Sequence, residues 1–230
     1  MIIDFHSHIL PGIDDGSQSV AESLELLNIQ KEQGVEIVAA TPHFYANHVS
    51  VEEFLRRRQR AFSELSAALP DDAPRIVPGA EVRYYEGISR LNDLNSLRLG
   101  NSKLLLLEMP VSVWTEYTVR ELIDLCNHSQ LRPVLAHIER YLRLQKPQVW
   151  DRLLDSGMLM QVNASFFSDF RTRRKAMRML AYGEAHLIGS DCHNLTDRPP
   201  ELQKAYDLIR KKLGEEFVDQ MNDFAGSLLA

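Results

Sequence analysis

The sequence has little cysteine. Cys126 and Cys192 are the two in 230 residues, too few for a disulfide framework, and they point to a reducing compartment. No run of about 18 apolar residues occurs, so no membrane-spanning helix is expected. The opening Met-Ile-Ile-Asp-Phe-His carries no basic stretch and reaches Asp4 too soon for a secretory signal, which makes a cytoplasmic location the expectation. An excess of positive charge is also missing. With 26 Lys+Arg against 32 Asp+Glu, the net charge of −6 argues against a nucleic-acid binder that relies on bulk basicity. There is no Gly/Ser-rich linker and no internal repeat, so one domain over 1–230 is expected, long enough to bury a sizeable core. Charged side chains of both signs make up 25%, which excludes a disordered or low-complexity chain.

What is present is a regular alternation. Short apolar, β-branched runs predict strands near 2–6, 36–42, 75–82, 103–109, 132–138, 159–164 and 185–191. Leu104-Leu105-Leu106-Leu107 has the character of a strand buried on both faces. Helix signals lie between. Ser19 with Glu22, Ser50 with Glu53 and Thr118 with Glu121 have capping-box spacing, predicting helices from 20 to a stop at Gly34, over 51–69 and over 119–128. A last long helix is expected between Pro199-Pro200 and Gly214. Seven βα units in this length predict an α/β fold closed as a compact barrel, smaller than the eightfold one.

In such a barrel, chemistry collects where strands end at the C-terminal face. Metal-type side chains fall there in a lopsided way. His6 and His8 end the first strand, His43 the second, Glu81 the third, Glu108 the fourth and His137 the fifth, while Asp191 and His193 end the seventh. Asp15, in Asp14-Asp15-Gly16, follows the first strand, and the sixth ends in Asn163. His6/His8 and Asp191/His193 are i, i+2 pairs, whose members point the same way in extended chain. One such His is ordinarily a satisfied core residue. Nine donors on one rim would be repulsive and poorly solvated without cations. They suit two or three divalent ions, with a carboxylate such as Glu81 bridging. The mixed N/O set suits manganese, zinc or iron, and residue type does not choose among them. His48, His128 and His186 end no strand and are expected at the surface or in packing.

Arg140 lies three residues past His137 and Arg198 five past His193. A guanidinium fork beside a metal cluster can take two phosphoryl oxygens, so this pair points to phosphate-ester hydrolysis by a metal-bound hydroxide. The structural alternative is pairing with Glu139 or Asp197. Cys126 and Arg132 have the C-x5-R spacing of thiol-dependent phosphatases, but the segment has no Gly and runs from a helix end into a strand, on the opposite barrel face. The basic runs 56–60 and 171–175 are expected to be solvated helix faces or a dock for an acidic partner. Phe44, Tyr45, Tyr141, Phe166 and Phe167 follow strand ends, where they could meet an aromatic substrate or simply pack.

At this point the residues resemble a family. Asp4-Phe5-His6-Ser7-His8-Ile9-Leu10-Pro11-Gly12-Ile13-Asp14-Asp15-Gly16 is similar to the opening of the polymerase-and-histidinol-phosphatase (PHP) superfamily. Within it, the chain resembles the bacterial metal-dependent protein tyrosine phosphatases of capsule and exopolysaccharide operons. The similarity continues through Thr41-Pro42-His43, Gly79-Ala80-Glu81, Leu107-Glu108, His137-Ile138-Glu139-Arg140-Tyr141, Asn163-Ala164-Ser165 and Gly189-Ser190-Asp191-Cys192-His193-Asn194, essentially the whole chain. Ile138 departs from the Pro expected in this branch, and Cys192 from a hydrophobic residue or Ala. The resemblance implies a distorted seven-stranded TIM-like barrel with three metal ions. One would take His6, His8, Glu81 and Asp191, a second Glu81, Glu108 and His137, and a third Asp15, His43 and His193. It implies Arg140 and Arg198 as catalytic arginines. It also implies, as substrate, phosphotyrosine in a bacterial tyrosine autokinase that controls polysaccharide export. The rival readings are a PHP-type phosphatase of histidinol phosphate or of a nucleic-acid end, an amidohydrolase, and a metal-binding regulator without turnover. Glu108 stands where an amidohydrolase would carry a carboxylated Lys.

Overall fold

The structure is a computed structural model and describes residues 1–90, 92–127 and 130–229; His128 lies outside the described residues. Nine strand segments occur among them: β1 (Ile2–Ser7), β2 (Val35–Ala40), β3 (His43–Phe44), β4 (Arg75–Pro78), β5 (Glu81–Arg83), β6 (Leu104–Glu108), β7 (Arg132–Leu135), β8 (Leu159–Asn163) and β9 (Leu187–Gly189). The helices are α1 (Val20–Glu32), α2 (Val51–Ser66), α3 (Glu116–Cys126), α4 (Pro147–Asp155), α5 (Ala164–Ser168), α6 (Arg173–Ala181), α7 (Leu202–Leu213) and α8 (Glu215–Leu228). All strand pairings are parallel, in the orders β1-β2-β4 and β3-β5-β6-β7-β8-β9. A parallel bridge from Ser7 to Cys192 brings the chain beyond β9 back to β1. The result is a curled parallel sheet in an α/β fold.

The difference from the expected strand count has a local cause. Pro42, which has no N–H to give a ladder, separates β2 from β3, and Gly79-Ala80 separates β4 from β5. The Gly79 amide donates to Ala40 O (2.8 Å) and the Glu81 amide to Pro42 O (3.0 Å), so the two chains stay bonded across their breaks. A Cβ on Gly79 would stand 2.3 Å from Leu99 Cδ2, so any larger residue there would have to displace the buried Leu99 side chain. Arg58, read in the sequence as part of a solvated basic face, instead folds inward. It donates to Gly79 O (2.9 Å) and Ser96 O (3.2 Å) and lies over the Phe54 ring. Its neighbours Arg56 and Arg57 pair with Glu53, and Arg60 with Glu64, on the exposed side. In the second basic run, Arg173 likewise turns inward, to Phe167 O and Ser168 O.

Alternation sorts the core. Val38, Ala40, Leu105, Leu107 and Leu135 belong to the cluster that packs against the helices. The intervening Ile37, Ala39, Leu104, Leu106 and Val134 form a second cluster with Ile3 and Phe5, which Ala225, Leu228 and Leu229 at the C-terminal end meet. Ser19 and Ser50 cap α1 and α2, accepting from the amides of Glu22 and Glu53. Two helix boundaries differ from expectation. The cap of α3 is Thr115, which accepts from the Thr118 amide, so Thr118 lies inside the first turn. Helix α7 does end at Gly214, but its φ of 96° turns the chain straight into α8, whose pattern was not anticipated.

Candidate active site

The strand ends and the segments that follow them bring every one of the eleven expected side chains to one place. His6 and His8 leave β1 with their Nε2 atoms 3.1 Å apart. Glu81 Oε2 lies 3.2 Å from His6 Nε2, 3.4 Å from His8 Nε2 and 3.0 Å from His43 Nδ1, while Glu81 Oε1 lies 2.8 Å from His137 Nε2. His43 and Glu81 are register partners across β3 and β5, and Arg83 and Glu108 are partners across β5 and β6. Asp15 sits in the exposed turn after β1, with its Oδ1 3.5 Å from His43 Nε2 and 3.7 Å from His193 Nε2.

Three donor groups have ligand atoms within 4.8 Å of one another: His8/Asp15/His43/His193, His6/His8/Glu81 and His43/Glu81/Glu108. The Asp15/His43/His193 trio thus gains His8. Glu81 and Glu108 gather with His43, and His137 stands on the other Glu81 oxygen.

Two expected side-chain directions are set by backbone rather than by strand alternation. Asp191 lies beyond β9 with φ of 54°, and His137 lies beyond β7 with φ of 33°. Neither is glycine, so both occupy a sparsely populated region that the surroundings must enforce. The Asp191 amide donates to His6 O (2.7 Å) and the His137 amide to Gln161 Oε1 (2.7 Å).

The electrostatics favour cations. Burial disfavours charge on His6, yet Glu81 and Asp191 outweigh it and raise its proton affinity. The same holds more strongly for His8, through Asp14, Asp191 and Glu81. Glu81 stays ionised well below the usual carboxylate range: burial opposes this, but His6 and the bond from His137 prevail. Asp191 behaves alike, beside His6 and His8. His43 Nδ1 and Glu81 Oε2 are buried 3.0 Å apart but are not aligned as a hydrogen bond, and neither has another hydrogen-bond partner. A field that draws protons onto His6 and His8, while burial keeps His137 and His193 neutral, with buried lone pairs left over, fits a site for divalent metal ions.

Arg140 and Arg198 converge on one atom. Arg140 Nη2 and Arg198 Nη2 each lie 2.6 Å from Asp191 Oδ2, and Arg198 Nη1 lies 2.8 Å from His193 Nε2. The acid expected as a structural alternative for Arg140 is engaged elsewhere: Glu139 Oε1 accepts from the Asn163 amide, and burial raises its pKa to about 7. Between the arginines opens a cavity of about 390 Å3, whose walls include Asn163, Ser190, Asp191 and Pro199.

Sequence reasoning missed the side chains that hold these donors. Asp14 Oδ2 accepts from the His43 amide and lies 2.8 Å from His8 Nδ1. An N–H there leaves His8 Nε2 with the lone pair a metal needs. Gln161 Oε1 lies 3.3 Å from His6 Nδ1, and Asn163 Nδ2 donates to Asp191 Oδ2 (2.9 Å). Arg83 sits 2.8 Å from Glu108. A signal existed for two of them: Gln161 and Asn163 are polar residues at i, i+2 in an otherwise apolar buried strand. Phe44, Tyr141, Phe166 and Phe167 are buried. The Tyr141 hydroxyl instead lies 3.1 Å from His137 Nδ1 and accepts from the Met109 amide. The C-x5-R pair stays apart from the site, for Cys126 ends α3, Arg132 opens β7, and burial raises the Cys126 thiol.

Comparison with known proteins points the same way. Tyrosine-protein phosphatase YwqE of Bacillus subtilis (strain 168) is 30% identical over 99% of this chain and 91% of its own length. Tyrosine-protein phosphatase CpsB of Streptococcus pneumoniae is 35% identical over 95% of this chain and 96% of its own. A crystal structure from work on YwqE and CpsB, described as unique metal-dependent tyrosine phosphatases, superposes with a TM-score of 0.84 at 26% identity, covering 99% of this chain and 94% of that one. Histidinol phosphate phosphatase of Lactococcus lactis shares the fold at a TM-score of 0.60 and 16% identity, over 91% of this chain and 92% of its own. A family model described as capsular polysaccharide synthesis, CpsB/CapC, matches residues 2–226, and this chain belongs to that family.

Proposed function

We propose that this chain is a metal-dependent protein-tyrosine phosphatase acting on a bacterial tyrosine autokinase that regulates capsule or exopolysaccharide export. The observation that carries it is the convergence of Arg140 and Arg198 on Asp191, beside three clusters of N/O donors. In this reading β2 with β3, and β4 with β5, are single bent strands, so the sheet is a distorted seven-stranded barrel and residues 1–230 form one PHP-type domain. The proposed metal ligands are His6, His8, Asp15, His43, Glu81, Glu108, His137, Asp191 and His193. They would hold two or three divalent ions, manganese foremost and zinc or iron as alternatives. Such ions supply Lewis-acid activation of water and neutralise phosphoryl charge.

The chain's own groups do the rest. Arg140 and Arg198, pre-aligned on Asp191, offer planar forks to non-bridging phosphoryl oxygens and stabilise charge that grows there in the transition state. Asp14, Gln161 and Tyr141 fix the rings of His8, His6 and His137 by their second nitrogens. The leaving phenol has a pKa of about 10, so its departure asks less of a general acid than an alkoxide's would. No helix among the described residues is long and apolar enough to cross a membrane, and a cytoplasmic site of action is part of the proposal.

The test compares purified protein, chelator-treated and reloaded with Mn2+, on a phosphotyrosyl peptide, histidinol phosphate and a 3′-labelled oligonucleotide. Metal-dependent turnover that favours the phosphotyrosyl peptide is expected. Preference for either other substrate would overturn the reading.

A further inference from the structure

Of the five aromatic residues that follow strand ends, four are committed to packing, and Tyr45 is half-buried at the mouth. Its ring stacks on His43 with centroids 5.3 Å apart and planes 30° from parallel. The ring of His48, an exposed residue, lies tilted to it with centroids 5.4 Å apart. His43, Tyr45 and His48 therefore form a run of three rings leading from the donor clusters to the surface. The run is built, not incidental. Phe44 is buried edge-on against Phe54 of α2, and Tyr45 O accepts from the amides of His48 (2.9 Å) and Val49 (3.2 Å), which closes the turn.

We infer that Tyr45 is the specificity-determining residue that packs against the phenyl ring of a phosphotyrosyl substrate. The inference rests on the phosphatase reading and adds to it the means of selecting an aryl ester. A phosphoryl group held by Arg140 and Arg198 looks the same whatever alcohol it esterifies, so beyond the easier departure of a phenol, discrimination in binding has to come from contact with the ring. Offset or edge-to-face contact between aromatic rings contributes beyond the area it buries. A tyrosine already stacked on His43 loses little freedom in making that contact.

The experiment uses the full chain loaded with Mn2+, comparing the unsubstituted protein with Tyr45→Ala and Tyr45→Phe. It measures KM for a phosphotyrosyl peptide and the inhibition constant of inorganic phosphate, a ligand with no ring. Tyr45→Ala is expected to raise KM about tenfold while phosphate inhibition stays within about twofold, and Tyr45→Phe to restore KM. An unchanged KM in Tyr45→Ala overturns the inference alone. So does a parallel rise in both constants, which would make Tyr45 a mere support for His43. Absence of phosphotyrosine turnover by the unsubstituted protein overturns the phosphatase reading and this inference with it.

Discussion

Several proposed ligands depend on a neighbour that decides which of their atoms is free. Gln161 is the clearest case. One amide accepts from the His137 backbone, faces His6 Nδ1 and donates to Asn163 Oδ1 (3.0 Å), which in turn holds Asp191. Replacing it by Leu of similar volume removes all three at once. Gln161→Leu is therefore expected to weaken metal binding about ten- to a hundredfold, measured by titration of metal-free protein with Mn2+. The arginines act later, on charge that develops during reaction. Arg140→Ala, like His43→Ala, is expected to cut phosphotyrosine turnover by at least about a hundredfold, and near wild-type rates in both would refute the site. Cys126→Ser should leave turnover largely intact. Residue chemistry was the most legible level, because a side chain's donor atoms do not depend on context. Asp14 escaped notice because nothing local separates a carboxylate that faces a metal from one that faces an imidazole.

At the scale of elements, the capping residues Ser19 and Ser50 were readable because an N-cap bond is made within three residues. Thr118 misled because Thr115, three residues earlier, offers the same hydroxyl. The turn Asp14-Asp15-Gly16 links local sequence to the site directly. A Cβ on Gly16 would lie 2.3 Å from His8 O and 2.4 Å from His8 Cβ, so the turn and the ligand cannot both keep their places. Gly16→Ala is expected to cost about 1–3 kcal/mol of stability and to weaken metal binding together with it, as read by thermal unfolding and Mn2+ titration. The strand breaks at Pro42 and Gly79 were not anticipated, since the apolar pattern runs through both. Their effect is to set His43 opposite Glu81 on short segments, β3 and β5, that begin the run β3-β5-β6-β7-β8-β9.

For the whole molecule, buried donors that attract cations couple metal to stability. At a free metal concentration of about 1,000 Kd, binding to the folded state contributes about 4 kcal/mol. Chelation should then lower the unfolding midpoint by roughly 8–16 °C for a chain of this size, a shift that scanning calorimetry would detect. Acid acts through a different group. Burial lowers the pKa of His186 from 6.5 to about 4, and its Nδ1 accepts from the Met160 amide (3.0 Å). The folded value lies below the unfolded one, so the unfolded chain binds more protons between them. The contribution is complete above about pH 6.5 and is lost as pH falls toward 4. It is of order 1–3 kcal/mol, and His186→Asn should flatten the dependence of the unfolding midpoint on pH in that window. The sequence by itself determined the alternation of strands and helices and the set of donors at the strand ends, because periodicity and residue type are local. Only the tertiary structure decided which donors share a cluster, that both arginines meet on Asp191, and that Tyr45 alone among its aromatic candidates stays open. Those outcomes depend on how the sheet curls, where its strands break, and the left-handed backbone at His137 and Asp191, where no glycine signals the turn.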